Sequence, residues 1–169
     1  MADKAKLADS LMQAIKAERD GNSFYGMAAA TSQDPKAKEI FAQLAAEELD
    51  HMQFLSRQYD SILKTGKPDP NAKLGQRHDL SGISPIFSEN IKTRIKDAHF
   101  EMSALSIGIQ LEVEAQNFYR ARATEAEDQG IRDFFLELAD WEAGHYQALL
   151  QQHEALKEDY WSENRFSAF

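Results

Sequence analysis

Cysteine is absent from the 169 residues, which removes disulfides, thiolate zinc or iron–sulfur sites and thiol nucleophiles together. Proline occurs four times and glycine eight. No alternating apolar stretches flank an Asn-Gly or Asp-Gly turn, so helices are favoured over sheet. Long apolar runs are missing too: Ala104 to Leu111 is broken by Ser106 and Gln110, and a bilayer span needs about 18 apolar residues. Met1-Ala-Asp-Lys-Ala-Lys runs straight into an amphipathic pattern without the apolar block of a signal peptide, and the expected location is the cytoplasm. Cationic surface is equally scarce. The net charge is −9 and basic pairs gather only around Lys92–Lys96, a poor match for nucleic acid or an anionic membrane. Chemistry is left to carboxylates, histidines and hydroxyls.

What is present is helical periodicity. Apolar residues make up 43% of the chain, enough for one domain with a core of its own. Leu7, Leu11, Ile15, Tyr25 and Ala28 form one stripe of a first helix over about Leu7–Ala30. Asp34-Pro35 reads as an N-cap followed by proline at the first helical position. The helix it opens carries Ile40, Leu44, Leu55 and Ile62 and stops at the glycine signal Lys64-Thr65-Gly66. A third helix is expected over about Met102–Glu125 and a fourth over about Ile131–Leu156. Short joints within each pair imply two antiparallel hairpins. The connection of about 66–101, with turn clusters at Lys67–Asn71 and Ser81–Pro85 and a short helix near Phe87–Lys96, crosses the bundle. The expected division is a bundle over 1–157 and a tail over 158–169. Tyr160, Trp161, Phe166 and Phe169 in that tail would dock on the bundle or on a partner subunit.

The two halves resemble each other. Shifted by 94 positions, Phe24-Tyr25 falls on Phe118-Tyr119, Phe41 on Phe135, Leu44 on Leu138 and Leu55 on Leu149. The same shift superposes Glu18 on Glu112, Glu48 on Glu142 and His51 on His145. Each half therefore carries a Glu, a second Glu 30 positions on and a His three further. Residues three apart share a helix face, so each Glu-x-x-His pair can grip one ion. From Glu18 to the turn near Ser32, and from Asp34 back to Glu48, the chain travels about 21 Å each way at 1.5 Å per residue. All six residues converge on one layer.

That layer lies on the core stripe, between Leu44 and Leu55 in one half and Leu138 and Leu149 in the other. Buried carboxylates cost several kcal/mol each without a counter-charge, on the order of magnitude known for ions in proteins. Two divalent cations would cancel the charge of four carboxylates beside two neutral imidazoles. Such an oxygen-rich set, with one imidazole per ion, suits iron better than copper or zinc, with manganese possible. Two carboxylates would bridge and two would be terminal. The predicted metal ligands are Glu18, Glu48, His51, Glu112, Glu142 and His145.

With its paired Glu and Glu-x-x-His motifs and an aromatic pair ending seven residues after each first Glu, the sequence resembles the rubrerythrin-type members of the ferritin-like superfamily. The resemblance implies an all-α, ferritin-like four-helix bundle holding two iron ions per chain and pairing as a homodimer. It also implies reduction of hydrogen peroxide or dioxygen, or else oxidation of ferrous iron for handling or storage. Rubrerythrins proper carry a cysteine-ligated iron domain that feeds electrons to the site. This chain cannot, so an external electron donor protein is required. The further carboxylate those proteins place one turn from the third-helix ligand is missing, since Ile109 and Ala115 flank Glu112. A non-catalytic helical interaction module is the reading from another class.

For the neighbours of the six, Tyr25 and Tyr119 are expected to pack in the core with buried hydroxyls, the alternative being hydrogen bonds to the site. Trp141, about 100° around its helix from Glu142, reads as packing. Asp50 and Asp140 either orient the imidazoles or lie on a solvated face. His78, His99 and His153 have no matching carboxylates and are expected at the surface.

Overall fold

The structure, a computed structural model, describes residues 2–75 and 99–163. It contains four helices: α1 (Ala2–Thr31), α2 (Pro35–Thr65), α3 (His99–Glu125) and α4 (Gln129–Glu163), with no strand among the described residues. α1 packs along α2 and α3 along α4, and α1 also meets α3. The expected all-α bundle of two hairpins is the fold observed. None of these helices is long and apolar enough to cross a membrane.

Local chemistry sets the ends of the hairpins. Asp34 is extended (φ −79°, ψ 125°), and its carboxylate accepts hydrogen bonds at 3.0 Å from the amides of Lys36 and Ala37. Two otherwise orphaned donors at the start of α2 are thereby satisfied. Gly66 closes α2 in the left-handed region (φ 78°), where an L side chain would be strained, and its amide donates to the Ile62 carbonyl at 3.0 Å. In the second half Asp128 does what Asp34 does in the first: the Ile131 amide donates to its carboxylate at 3.0 Å. After α2 the turn cluster at Lys67–Asn71 is pinned to the helix. Gln58 accepts from the Asp69 amide (2.8 Å) and donates to the Asp69 carbonyl (3.2 Å).

Glu101, buried in the first turn of α3, accepts from the Ser32 hydroxyl (3.1 Å) and the Gln33 amide (3.3 Å). The start of α3 therefore lies beside the α1–α2 turn, while α2 ends at the far end of the bundle. α2 and α3 run in the same direction, so Thr65 and His99 stand at opposite ends of the bundle. The short helix expected near Phe87–Lys96, the turn at Ser81–Pro85 and His78 fall outside the described residues.

Two apolar clusters fill the interior. One gathers Tyr25, Ile40, Phe41, Leu44, Leu105 and Leu149 near the α1–α2 turn. The other gathers Leu11, Phe54, Leu55, Tyr119, Phe135 and Leu138 near the α3–α4 turn. The 94-residue repeat exchanges Tyr25, Phe41, Leu44 and Leu105 with Tyr119, Phe135, Leu138 and Leu11. Close approach matters at Gly108, where a Cβ would stand 3.1 Å from both the Tyr25 hydroxyl and a Leu149 methyl.

The helix ends differ from expectation in three places. α1 starts at Ala2 rather than near Leu7, and α3 at His99 rather than Met102. α4 continues past Leu156 to Glu163, with Tyr160 packed on the first cluster and Trp161 47% exposed. No Gly or Pro follows Leu156 to stop it. Replacing Asp34 or Asp128 by Ala should each cost about 1 kcal/mol. That corresponds to about 2–4 °C in melting temperature for a chain of this size. Thermal unfolding followed by circular dichroism measures it, and unchanged melting would show that the caps are not holding the turns.

Candidate metal centre

Between the two apolar clusters lies a polar layer to which every helix contributes. Glu18 comes from α1, Glu48 and His51 from α2, Glu112 from α3, and Glu142 and His145 from α4; none is more than 4% exposed. All six predicted ligands meet there, in two overlapping groups. Glu18, Glu48, His51 and Glu142 place ligand atoms within 4.8 Å of one another, as do Glu48, Glu112, Glu142 and His145. Glu48 and Glu142 belong to both groups. Two ions held there would share these two carboxylates, with Glu18 and Glu112 each serving one ion.

Distances follow the same division. His51 Nδ1 lies 3.1 Å from Glu142, 3.3 Å from Glu18 and 3.8 Å from Glu48. His145 Nδ1 lies 3.2 Å from Glu142, 3.3 Å from Glu48 and 3.7 Å from Glu112. The imidazole rings stand nearly parallel, 5.6 Å apart. Both carboxylate oxygens of Glu142 and the Nδ1 of His145 are buried with no hydrogen-bond partner among the described residues. Leaving one such group unsatisfied costs about 1–3 kcal/mol, and more for a charged one. Carboxylates converging from four helices, with both oxygens of Glu142 left without a donor, fit cations, and two divalent ions would complete both groups.

Tyr25 and Tyr119 correct the expectation of plain core packing. They are buried, but each hydroxyl donates to a ligand carboxylate of the other hairpin: Tyr25 to Glu112, and Tyr119 to Glu18. Glu18 and Glu112 are thus oriented from behind. Asp50 and Asp140 do not orient the imidazoles. Asp50 packs against the backbone at Gly75, and Asp140 is exposed. That role belongs at His145 to Glu47, a buried carboxylate that sequence reasoning missed, 2.9 Å from His145 Nε2. Its position on the stripe of Leu44 and His51 was the available signal. Trp141 packs as expected, edge to face against His51 at 5.0 Å.

No carboxylate stands one turn beyond Glu18 or Glu112. Gly21 and Ala115 occupy those places, and a Cβ at Gly21 would come within 3.5 Å of the Glu48 carboxylate. Glu114 is exposed and accepts from Gln110 at 2.9 Å. His99 is exposed and His153, partly exposed, pairs with Glu154 at 3.5 Å, so neither joins the layer.

Burial and mutual repulsion govern protonation in the metal-free layer. Burial first, then the charges of Glu142 and Glu18, pushes the Glu48 carboxyl well above its ordinary range. Burial and then Glu142 lift Glu112 to about 8. Burial would lower both histidines, but the surrounding carboxylates outweigh it and raise them, Glu142 foremost at His51 and Glu112 foremost at His145. Burial would raise Glu142, yet the two imidazoles hold it well below the usual carboxylate range. Burial and the adjacent carboxylates keep both tyrosines protonated. Protons share the balancing of charge that a cation pair would supply.

The sequence profile of the rubrerythrin family matches the chain over residues 9–107 and 103–167. The first stretch holds Glu18, Glu48 and His51, and the second Glu112, Glu142 and His145. Comparison with curated proteins and with solved structures gives no significant match.

Protonation sets a pH dependence. Glu48, Glu112, His51 and His145 have folded values above their unfolded ones. Their contribution to stability is complete at low pH and is lost as pH rises through the folded values. For Glu112 the window runs from 4.5 to about 8. Glu142 acts oppositely, its contribution being lost as pH falls below 4.5. The melting temperature of metal-free protein should therefore decline across the window from 4.5 to about 8. Excess divalent metal should remove the decline, because ligation needs the deprotonated groups. Calorimetry across that range decides, and a metal-free protein that grows more stable with rising pH would refute the assignment.

Proposed function

The chain belongs to the rubrerythrin family, and from that premise we propose that it is a di-iron oxidoreductase that reduces hydrogen peroxide or dioxygen with electrons from a separate protein. The observation that carries this reading is the pair of overlapping four-residue groups sharing Glu48 and Glu142. Beside these two, Glu18 and His51 would hold one ion, and Glu112 and His145 would hold the other. A redox-active iron pair held there would have available the two electrons needed to convert one peroxide and two protons into two waters; manganese is the alternative metal.

The chain's own residues confine and prepare that chemistry. The apolar clusters on either side of the layer keep bulk water away, which strengthens every charge interaction inside it. Tyr25 and Tyr119 fix the terminal carboxylates and hold protons beside the centre. With no cysteine in these 169 residues, no rubredoxin-type iron site lies within them, and in this reading the electrons come from outside the bundle. We place the reaction in the cytoplasm, where reducing systems are maintained, and in a homodimer, as the family resemblance implies.

Anaerobic loading with ferrous iron should give two ions per chain. One equivalent of peroxide should then oxidise both, read by the absorption of the ferric product. Glu142→Ala should remove a ligand common to both positions and abolish stoichiometric loading. Two bound irons that peroxide leaves ferrous would overturn the peroxidase reading. Rapid oxidation by dioxygen with retention of ferric iron in a closed multi-subunit shell would replace it with iron storage.

A further inference from the structure

The repeat that superposes the six ligands fails beside them. Glu47 and Trp141 are counterparts under the 94-residue shift, yet one is a carboxylate and the other an indole. Glu47 reaches from α2 to α4, where its Oε2 lies 2.9 Å from His145 Nε2, both side chains 2% exposed. At the related place Trp141 meets His51 edge to face at 5.0 Å and 82°. His51 Nε2 is buried with no hydrogen-bond partner among the described residues.

A neutral imidazole has one N–H and one lone pair, and the partner of the outer nitrogen decides which is where. A carboxylate can only accept, so Glu47 holds the proton of His145 on Nε2 and leaves the lone pair on Nδ1. That nitrogen is the one facing Glu48, Glu112 and Glu142. An indole N–H is a donor and offers no lone pair in exchange, so Trp141 walls His51 without selecting its tautomer. Glu47 also adds a negative charge on one side of the layer alone, and attraction to a cation at that position gains most in a low-dielectric interior.

We propose that Glu47 is a positioning residue that makes the two ion positions unequal, so that the position of Glu48, Glu112, Glu142 and His145 fills before that of Glu18, Glu48, His51 and Glu142. The inference rests on the two-ion reading and is independent of which oxidant is reduced. It concerns only how the ligand sphere is prepared to receive metal.

The test is titration of the metal-free full chain with Zn²⁺, which has no redox chemistry to confuse the readout. Chelator competition measures the affinities, and the ¹⁵N signals of the histidine rings report which position fills. In the wild type two ions should bind in resolved steps. The first equivalent should move the His145 ring signals ahead of those of His51, with His145 in the Nε2–H form. Glu47→Leu should weaken the first step by about 10–100-fold, the usual effect of losing such an outer partner, and leave the second unchanged. Glu47→Gln, whose amide oxygen accepts the same N–H, should restore most of the loss, which a merely space-filling role would not require. Two equal affinities in the wild type, His51 responding first, or Glu47→Leu leaving both steps intact would each overturn the proposal and spare the two-ion reading. Fewer than two ions per wild-type chain would end both. The ring signals of the wild type decide even if Glu47→Leu does not fold.

Discussion

Everything in this fold is arranged around the cost of burying charge. Four carboxylates and two imidazoles sit in one layer at the middle of the bundle, each within a few per cent of full burial. Charged groups taken out of water without compensation cost several kcal/mol each, comparable with about 5–15 kcal/mol for the whole stability of a domain. The layer therefore needs either protons or cations. That need fixes the register of the helices, because sliding any one by a turn would separate a ligand from its group by about 5.4 Å. The same layer splits the core, so each apolar cluster must be closed by contributions from both hairpins.

The cross-hairpin bonds show how register is held. Tyr25 on α1 reaches Glu112 on α3, and Tyr119 on α3 reaches Glu18 on α1. Each tyrosine is packed by its ring in one apolar cluster and anchored by its hydroxyl to the polar layer, so neither cluster can shift against the layer alone. Space for the Tyr25 ring depends on Gly108; the counterpart of Gly108 under the repeat is Ala14, in the opposite cluster. At the bundle's end Glu101 plays a simpler part, tying the first turn of α3 to the α1–α2 joint through Ser32 and Gln33.

Much of this was legible in the residues themselves. Asp34-Pro35 and Gly66 placed both ends of α2, since capping is a local transaction between a side chain and the nearest backbone groups. The 30-residue interval placed the ligands at one height because rise per residue is fixed. What was not legible depended on contacts between hairpins. Periodicity assigned Tyr25 and Tyr119 to a buried face, but their partners lie 87 and 101 residues away along the chain. Glu47, adjacent to Glu48 and on the same stripe, carries no other signal along the chain that sets it apart from Asp50, which lies against Gly75, or Asp140, which is exposed. The far end of α4 was missed for a different reason: a helix without a stop signal ends where packing ends, and Tyr160 still packs.

The pattern of what the repeat preserves and what it abandons is informative in its own right. The capping pair Asp34 and Asp128, the tyrosines and the ligands obey it; Glu47 and Trp141 break it. A twofold arrangement of ligands by itself would offer two equivalent positions. Equivalence is lost at the groups behind the imidazoles, where a change costs no ligand and disturbs no helix register. Replacing a buried carboxylate by an indole on one side removes one charge to be balanced and substitutes apolar packing for it. The bundle can therefore keep the same ligands on both sides and still give the two histidines different surroundings.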